Sequence, residues 1–272
     1  MFWFGKNKKE NTRPYHIGLA LGGGGARGFA HVGVLRALEE RGIKPDIIAG
    51  TSAGSIIAAL YADGYTPQHI IKLFSELEVK ELVDVTIPRN SLLKFDKFIH
   101  FLEQRLHTKR IENLRIPTYI TATDFDHGKS VAFDTGNLAQ CVAASCAIPI
   151  VFPPVEIDGI HYVDGGVMRN LPATHIRELC DVLIGVNVSP MQHETYEQNL
   201  LSITNRAYNF LSCGNVFPDI ALCDILIENE GISDFNVFDL SEQQNIEQMG
   251  YQKAIEILDN LPEEKKLLLF NK

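Results

Sequence analysis

The sequence predicts an α/β fold in which a mostly parallel central sheet carries helices on both faces. The first 65 residues alternate strand, loop, helix, strand, turn and helix, and the alternation resumes in the second half of the chain. One stretch departs from this order, because "VEIDGIHYVD" alternates in polarity around Asp158-Gly159, as a two-residue hairpin does. We therefore expect a parallel sheet with one antiparallel insertion.

The first half of the chain supplies the opening strands and their helices. Gly42 ends the first helix, and Thr66-Pro67 begins the third. The predicted elements are a strand over His16–Leu21, a helix over Arg27–Arg41, a strand over Asp46–Ala49, a helix from Ser52 to Tyr61, a helix from Pro67 and a helix over residues 90–108.

The second half continues with shorter elements. Pro149 ends a helix made mainly of small residues. The predicted elements are strands over 116–124 and 130–134, a helix over Leu138–Ala147, the hairpin at 155–164, a helix over Ala173–Cys180, a strand over 182–188, a helix over Leu200–Leu211, a strand over 224–229 and a helix over Ser241–Leu258.

The length of 272 residues fits a single α/β domain. We expect a flexible segment over 1–14, one catalytic domain over 15–262 and a tail over 263–272. In the first segment, the aromatic residues Phe2–Phe4 precede several lysines, which suggests either a flexible terminus or a transient contact with a membrane surface. No apolar run reaches about 18 residues, so we expect a cytoplasmic protein, in one interpretation peripheral to the membrane.

Charge and cysteine content narrow the function classes. The net charge of −9 argues against a nucleic-acid partner, because affinity for phosphate backbones needs clustered lysine and arginine. The five cysteines are odd in number and none is spaced as C-x-x-C. Neither a disulfide framework nor a zinc site is therefore expected, and a reducing compartment fits best.

The pentapeptide Gly50-Thr51-Ser52-Ala53-Gly54 is the first candidate for chemistry. It is either an ordinary strand-to-helix turn with a capping hydroxyl or a G-x-S-x-G nucleophile elbow. In the second interpretation the serine lies at the tip of a strained turn, and the flanking glycines allow neighbouring backbone to approach. The context of the motif has to decide between the two.

A glycine run, "GGGGARG" over Gly22–Gly28, supplies that context. It leads from the first strand into a helix, so backbone N–H groups converge there as donors for an oxyanion. The same run matches the dinucleotide fingerprint G-x-G-x-x-G, which requires an acidic residue at the end of the second strand. That strand ends instead at Ser52, and Asp46 stands at its start.

A base for Ser52 is best supplied by Asp164, which ends a strand and is followed by Gly165 and Gly166 in "VDGGVMRNLP". An α/β-hydrolase would need a histidine after its acid and several strands before its serine, and this chain has no room for those strands. Only His175 and His193 follow Asp164, and both are interpreted as ordinary histidines. Further histidines lie on predicted helices (His31, His69, His100, His107), while His161, on the hairpin strand, is a reserve candidate.

The motifs "GGGGARG", "GTSAG" and "DGG", in this order, resemble the patatin-like phospholipases, and in particular short bacterial members related to the catalytic domain of neuropathy target esterase. The resemblance extends from about Ile17 to Leu258 and includes "AIPIVFPPV" and "RNLP". It implies a three-layer α/β/α fold and hydrolysis of lipid acyl esters without a metal or other cofactor.

The resemblance also assigns residues. It implies that Ser52 is the nucleophile, Asp164 its base without a catalytic histidine, and that the N–H groups around Gly23, Gly24 and Gly25 form the oxyanion hole. The same motifs contain supporting positions, namely Arg27, Gly28, Gly50, Gly54, Gly165 and Gly166.

The sequence therefore predicts a serine lipid acyl hydrolase of the phospholipase A, lysophospholipase or esterase type, acting through an acyl-enzyme. Its substrate would be a lipid or another acyl ester, and the sequence leaves the oligomeric state open. Apolar residues of the 90–108 helix and of "VFPP" are expected either to line an acyl groove or to fill the core. Two other classes remain: a non-catalytic lipid- or partner-binding module with the same fold, and a nucleotide-binding oxidoreductase.

Overall fold

The computed structural model describes residues 13–75, 84–85, 91–191 and 196–270. The predictions for Phe2–Phe4 and for His193 lie outside the described residues. The strands are β1 (Tyr15–Leu21), β2 (Ile47–Thr51), β3 (Asp84–Val85), β4 (Leu93–Lys94), β5 (Thr118–Asp124), β6 (Lys129–Phe133), β7 (Val155–Ile157), β8 (Ile160–Asp164), β9 (Cys180–Asn187) and β10 (Ile225–Glu228). The helices are α1 (Phe29–Glu40), α2 (Ala53–Ala62), α3 (Pro67–Ser75), α4 (Asp96–Arg105), α5 (Leu138–Ser145), α6 (Ala173–Ile176), α7 (Leu200–Gly214), α8 (Phe217–Ile220), α9 (Gln243–Asp259) and α10 (Glu263–Phe270).

The main sheet has the strand order β10-β9-β1-β2-β5-β8-β7, with β6 also paired to β5. The strands from β10 to β5 run parallel, whereas β6, β7 and β8 pair antiparallel. Strands β3 and β4 form a separate two-stranded ribbon. The predicted fold class, a mostly parallel sheet with an antiparallel insertion, is confirmed.

Alternate side chains of the parallel strands enter two different cores. In β1, Leu19 and Leu21 pack in the larger core with residues of α1, α2, α5 and α9, whereas Ala20 lies in the smaller core. The smaller core contains Ala173 and Ile176 of α6. Because both faces of the sheet are covered, its central strands are almost continuously apolar.

Three predicted boundaries differ from the structure. The helix expected over 90–108 spans only Asp96–Arg105, because Leu93 pairs in β4 and its N–H donates to the Val151 carbonyl. The helix expected over Ala173–Cys180 ends at Ile176, continues as a 3-10 turn, and gives way to β9 at Cys180. The segment expected as a C-terminal tail contains α10, whose Leu269 is buried.

The hairpin carries Asp164 to the end of β2. Asp158 and Gly159 have φ values of 51° and 79° and form its two-residue turn. Strand β5 pairs with β2 over its first residues and with β8 over its last, and β6 occupies the opposite edge of β5. Strand β8 therefore lies in line with β2, and Asp164, which pairs with Ala122, meets the point where β2 ends at Thr51.

None of the helices within the described ranges is long and apolar enough to cross a bilayer.

Candidate active site

Ser52 occupies a sharp turn between β2 and α2. Its backbone has φ 51° and ψ −124°, a conformation that side-chain-bearing residues rarely adopt and that costs about 1–3 kcal/mol. The side chain is almost buried, yet it lines two cavities. A strained serine turn between a strand and a helix is the geometry of a nucleophile elbow, so the capping interpretation does not account for it. No side-chain hydrogen bond caps α2 at this position.

Three motif glycines allow the backbone around Ser52 to pack closely. A Cβ on Gly50 would lie 2.6 Å from the Gly54 carbonyl oxygen, and a Cβ on Gly54 would lie 2.7 Å from the Gly22 carbonyl oxygen. A Cβ on Gly28 would lie 2.6 Å from the Ala53 Cβ. Non-bonded contacts this short essentially never occur for a real Cβ, so a side chain at Gly28 or Gly54 would separate the glycine loop from the elbow, and one at Gly50 would disrupt the elbow itself.

The Asp164 carboxylate lies directly beside Ser52. The Ser52 hydroxyl donates to Asp164 Oδ2 at 2.7 Å, and the Gly166 N–H donates to Oδ1 at 2.8 Å. Asp164 is fully buried. A Cβ on Gly165 would lie 2.5 Å from the Thr121 carbonyl oxygen, so the first glycine of "DGG" allows the chain to turn against β5. One hydroxyl and one carboxylate separated by 112 positions thus share a hydrogen bond.

Burial changes the basicity of this carboxylate. It raises the pKa of Asp164 to about 6, and the hydrogen bonds from Ser52 and Gly166, together with the nearby Tyr208 hydroxyl, oppose the rise. At neutral pH the group is therefore mostly ionised but is a stronger base than an ordinary aspartate, which suits it to accept a proton from a hydroxyl.

Neighbouring hydroxyls fix the backbone of the elbow. The Ser52 N–H donates to Ser145 Oγ at 2.8 Å, and the Ser145 hydroxyl donates to the Thr121 carbonyl at 2.6 Å. The Ser55 hydroxyl donates to the Ser52 carbonyl at 2.7 Å. Both polar backbone groups of Ser52 are thus satisfied within the protein, and its side chain remains available for chemistry.

The glycine loop presents free N–H donors next to Ser52. Within the described ranges, no acceptor meets the N–H groups of Gly24 and Gly25, nor that of Ala53, the residue after the serine. The prediction for Gly23 requires a correction, because its N–H donates to the Asn170 carbonyl at 3.1 Å. The candidate oxyanion donors are therefore Gly24, Gly25 and Ala53 rather than Gly23.

Buried polar side chains hold the glycine loop in place. His31 Nε2 lies 2.7 Å from the Gly22 carbonyl, and burial lowers the pKa of His31 to about 4, so the neutral ring donates there. Ser189 Oγ and Asn170 Nδ2 both donate to the Gly23 carbonyl, at 2.8 and 3.2 Å.

Arg27 links the loop to a more distant segment. Its guanidinium donates to the carbonyls of Ser233 and Phe235, each at 2.8 Å. In the same region the Ala26 N–H donates to the Val237 carbonyl at 2.8 Å. The arginine of the glycine motif therefore orders the wall of the site, and none of these contacts is to Ser52 or Asp164.

Ser52 lies between an apolar and a polar cavity. The apolar cavity has a volume of about 180 Å³ and is lined by six phenylalanines together with aliphatic residues. The polar cavity, of about 30 Å³, is bounded by the glycine loop, Asn170, Ser189 and Tyr208. The phenylalanines are Phe29, Phe74, Phe95, Phe98, Phe152 and Phe238. Of the residues predicted to line a groove or fill the core, those at 95, 98 and 152 thus line this cavity.

None of the histidines that the structure describes takes part in the Ser52–Asp164 pair. Of the eight histidines within the described ranges, none hydrogen-bonds to either residue. His161, the reserve candidate, contacts Asp126 at 3.2 Å and is exposed. A separate serine–histidine contact exists between Ser130 and His175 at 3.2 Å. No group of three or more metal-ligating side chains converges in the part of the chain that the structure describes.

Several residues of the site carried no signal in the sequence. Tyr208, on α7, places its hydroxyl beside Gly166 and lowers the pKa of Asp164. Ser145, Ser189 and the N–H of Ala53 also contribute contacts or donors, although none belongs to a recognisable motif. Asn170 stands in the quoted "RNLP", which was the one available indication of its position near the loop.

Comparison with known proteins places these features in a family. The family model described as patatin-like phospholipase matches residues 19–176. An NTE family protein of Mycobacterium tuberculosis is 38% identical over 176 residues, covering 64% of this chain and 49% of that protein. The lysophospholipase NTE1 of Saccharomyces cerevisiae is 32% identical over 251 residues, covering 80% of this chain and 15% of that protein.

Similarity in structure agrees with the sequence comparison. The crystal structure of VipD from Legionella pneumophila superposes with a TM-score of 0.63 at 17% identity, covering 93% of this chain and 69% of that one. This likeness supports the fold. The chain spans about half the length of the mycobacterial relatives and a much smaller share of the yeast lysophospholipase. Since the family model covers more than half of the sequence, the chain belongs to the patatin-like phospholipase family.

Proposed function

We propose that this chain is a serine lipid acyl hydrolase, of the phospholipase A or lysophospholipase type, which uses Ser52 as nucleophile and Asp164 as base. The observation that carries the proposal is the 2.7 Å hydrogen bond from the Ser52 hydroxyl to a buried carboxylate of raised pKa. Membership of the family and the name lysophospholipase borne by the yeast relative support lipid esters as the substrate class.

The proposed reaction follows from the roles of these groups. Ser52 Oγ attacks the ester carbonyl while its proton passes to Asp164 Oδ2, and the oxyanion accepts hydrogen bonds from the N–H groups of Gly24, Gly25 and Ala53. Asp164 then gives the proton to the departing alkoxide, which leaves an acyl-Ser52. Water, deprotonated by Asp164, releases the fatty acid and restores the serine. Each donor of an oxyanion hole is worth about 3–4 kcal/mol of barrier.

The two cavities fit the two parts of an amphiphilic ester. The apolar cavity would take the acyl chain, because its aromatic wall begins at the serine and contains few polar atoms. The polar cavity on the other side of Ser52, with a volume of about 30 Å³, has room only for the atoms of the alcohol part next to the ester, opposite Asn170 and Ser189. The two ends of the ester would thus account for an apolar and a polar cavity on either side of Ser52.

Neither alternative function, dinucleotide binding or binding without catalysis, is supported by a comparable observation among the described residues. A dinucleotide site would need an acidic side chain at the carboxyl end of β2, but Asp46 lies at the other end and accepts from the Ile17 N–H at 2.9 Å. A binding module without catalysis would have no use for a strained serine paired with a buried base.

Hydrolysis of p-nitrophenyl esters of increasing chain length, and of a lysophospholipid, tests the proposal. We expect Ser52→Ala to abolish turnover and Asp164→Asn to lower kcat at least ~100-fold. Ser130→Ala is the matched control, because it removes the serine of the separate contact with His175. An inactive wild type with intact fold would support the binding module, and loss of activity in Ser130→Ala but not in Asp164→Asn would overturn the dyad.

A further inference from the structure

The Asp164 carboxylate has a third polar neighbour besides Ser52 and Gly166. The hydroxyl of Tyr208, half-buried on α7, lies beside Gly166 and lowers the pKa of the carboxyl group. Tyr208 also borders the polar cavity next to Ser52. A residue 44 positions beyond the aspartate, on a helix outside the central sheet, thus contacts the proposed base.

The second glycine of "DGG" makes room for this hydroxyl. A Cβ on Gly166 would overlap the Tyr208 hydroxyl oxygen and would lie 2.9 Å from Asn170 Oδ1. Gly166 does not have a positive φ, so the backbone conformation alone does not require glycine. The reason for glycine at this position is therefore space, and what fills the space is the tyrosine hydroxyl.

The end of α7 is fixed to the same loop. Asn215, the residue that follows the helix, donates from Nδ2 to the Gly166 carbonyl at 2.8 Å. Its Oδ1 accepts from the Asn170 N–H, also at 2.8 Å. These two bonds tie α7 to the loop that follows Asp164, so the position of Tyr208 is set by contacts at the site.

We propose that Tyr208 is a positioning residue for the Asp164 base: its hydroxyl holds the carboxylate in its ionised form, with Oδ2 directed at Ser52. The inference rests on the proposed function for its catalytic consequence and on the contacts above for its geometry. Three hydrogen-bond donors then satisfy a buried anion beside which the described residues place no cation.

The described groups that stabilise the charge of the Asp164 carboxylate are neutral hydrogen-bond donors. Within the described part of the chain, no charged side chain contributes to the pKa of Asp164. The other titratable group facing the carboxylate is the thiol of Cys146, at the end of α5, and burial raises its pKa so that it stays neutral. Burial and the Asp164 carboxylate itself likewise raise the pKa of Tyr208 well above its ordinary value, with smaller contributions from the thiols of Cys146 and Cys213, so the phenol stays a donor.

The test is Tyr208→Phe, measured as the pH dependence of kcat/KM. Loss of a donor to the anion raises the pKa of Asp164, so the acidic limb should move to higher pH by about one unit. Tyr251→Phe is the matched control, because it removes another phenol–carboxylate hydrogen bond, 2.7 Å to Glu40, on the protein surface. Its limb should coincide with that of the wild type.

A second variant reaches the same contact from the other side. Gly166→Ala should displace the Tyr208 hydroxyl and move the limb in the same direction. Added to Tyr208→Phe, it should produce little further movement of the limb, because the hydroxyl is already absent. A merely structural role of Tyr208 would lower the plateau and leave the limb in place, and an unmoved limb in Tyr208→Phe would overturn the inference.

Titration of the ¹³C-labelled Asp164 carboxyl by NMR separates this inference from the proposed function, because it needs no turnover. We expect a midpoint near the pKa of about 6 in the wild type and a higher midpoint in Tyr208→Phe. Equal midpoints would refute the positioning role even in an active enzyme. A raised midpoint in a protein without esterase activity would support the contact and refute the hydrolase.

Discussion

Gly54→Ala provides a sharp test of how the glycine loop and the elbow fit together. A Cβ at this position would lie 2.6 Å from the Leu21 carbonyl carbon, whereas carbon atoms pack at about 3.5 Å or more, so the end of β1 or the start of α2 must retreat by about 1 Å. That retreat moves the N–H groups of Gly24 and Gly25 away from Ser52. Misplacement of catalytic groups by 1 Å can cost ~100-fold in rate, and we expect kcat to fall by about that factor.

Stability distinguishes this mechanism from a helix-propensity effect. Gly54 lies in α2 with no positive φ, so propensity alone predicts that alanine stabilises the protein by up to ~1 kcal/mol. Overpacking predicts a loss of about 1–3 kcal/mol instead, with a melting temperature lower by several degrees. Gly214→Ala is the matched control, because Gly214 also lies in a terminal turn of a helix, at the end of α7, and its Cβ would meet no atom within 4 Å.

The assay is esterase kinetics on p-nitrophenyl butyrate together with thermal unfolding followed by circular dichroism. The control variant should keep wild-type kcat and an equal or higher melting temperature. If Gly54→Ala also keeps wild-type kcat, the close approach of the loop to Ser52 is not what the chemistry requires, and the reasoning is wrong.

Further predictions concern pH and the apolar cavity. Because Asp164 must be ionised to accept a proton and burial raises its pKa to about 6, kcat/KM should fall as pH decreases below 6; a limb near pH 4 would contradict this. Leu240→Trp should fill part of the apolar cavity and lower kcat/KM for a dodecanoyl ester about tenfold while sparing a butyryl ester; the exposed Leu267→Trp is its control. Burial lowers the pKa of His31 to about 4 in the folded protein. As pH decreases, His31 therefore takes up its proton at a higher pH in the unfolded chain than in the folded protein, and the free energy of unfolding should fall between about pH 6.5 and pH 4. The urea midpoint of His31→Gln should depend less on pH in that window, and an unchanged slope would count against the neutral buried ring.

The sequence identifies the fold class because its strands alternate with helices and are apolar on both faces. The approach of Ser52 to Asp164 was expected only in general terms, as two strand ends at one rim. The particular arrangement depends on β8 lying in line with β2 along one edge of β5, and no local pattern encodes such a pairing. Helix boundaries failed where a tertiary hydrogen bond competed, as at Leu93, because the apolar spacing of the predicted helix gave no sign that the Leu93 N–H would bond to the Val151 carbonyl.

The glycine motif shows a different limit of prediction from sequence. Glycine content indicates that backbone approaches closely, but not which N–H groups stay free. The N–H of Gly23 is taken by the Asn170 carbonyl, a contact between segments 147 positions apart. The position of Tyr208 near Asp164 could not be predicted for the same reason. In the sequence, a tyrosine on an amphipathic helix resembles any packed aromatic residue until the place of the helix is known.

Covalent labelling with a fluorophosphonate, followed by peptide mapping, shows whether Asp164 activates Ser52. We predict a single adduct on Ser52 in the wild type, and labelling at least ~100-fold slower in Asp164→Asn, because the carboxylate accepts the proton of the attacking hydroxyl. An adduct on Ser130, or labelling of Ser52 at an undiminished rate without the Asp164 carboxylate, would refute the Ser52–Asp164 dyad.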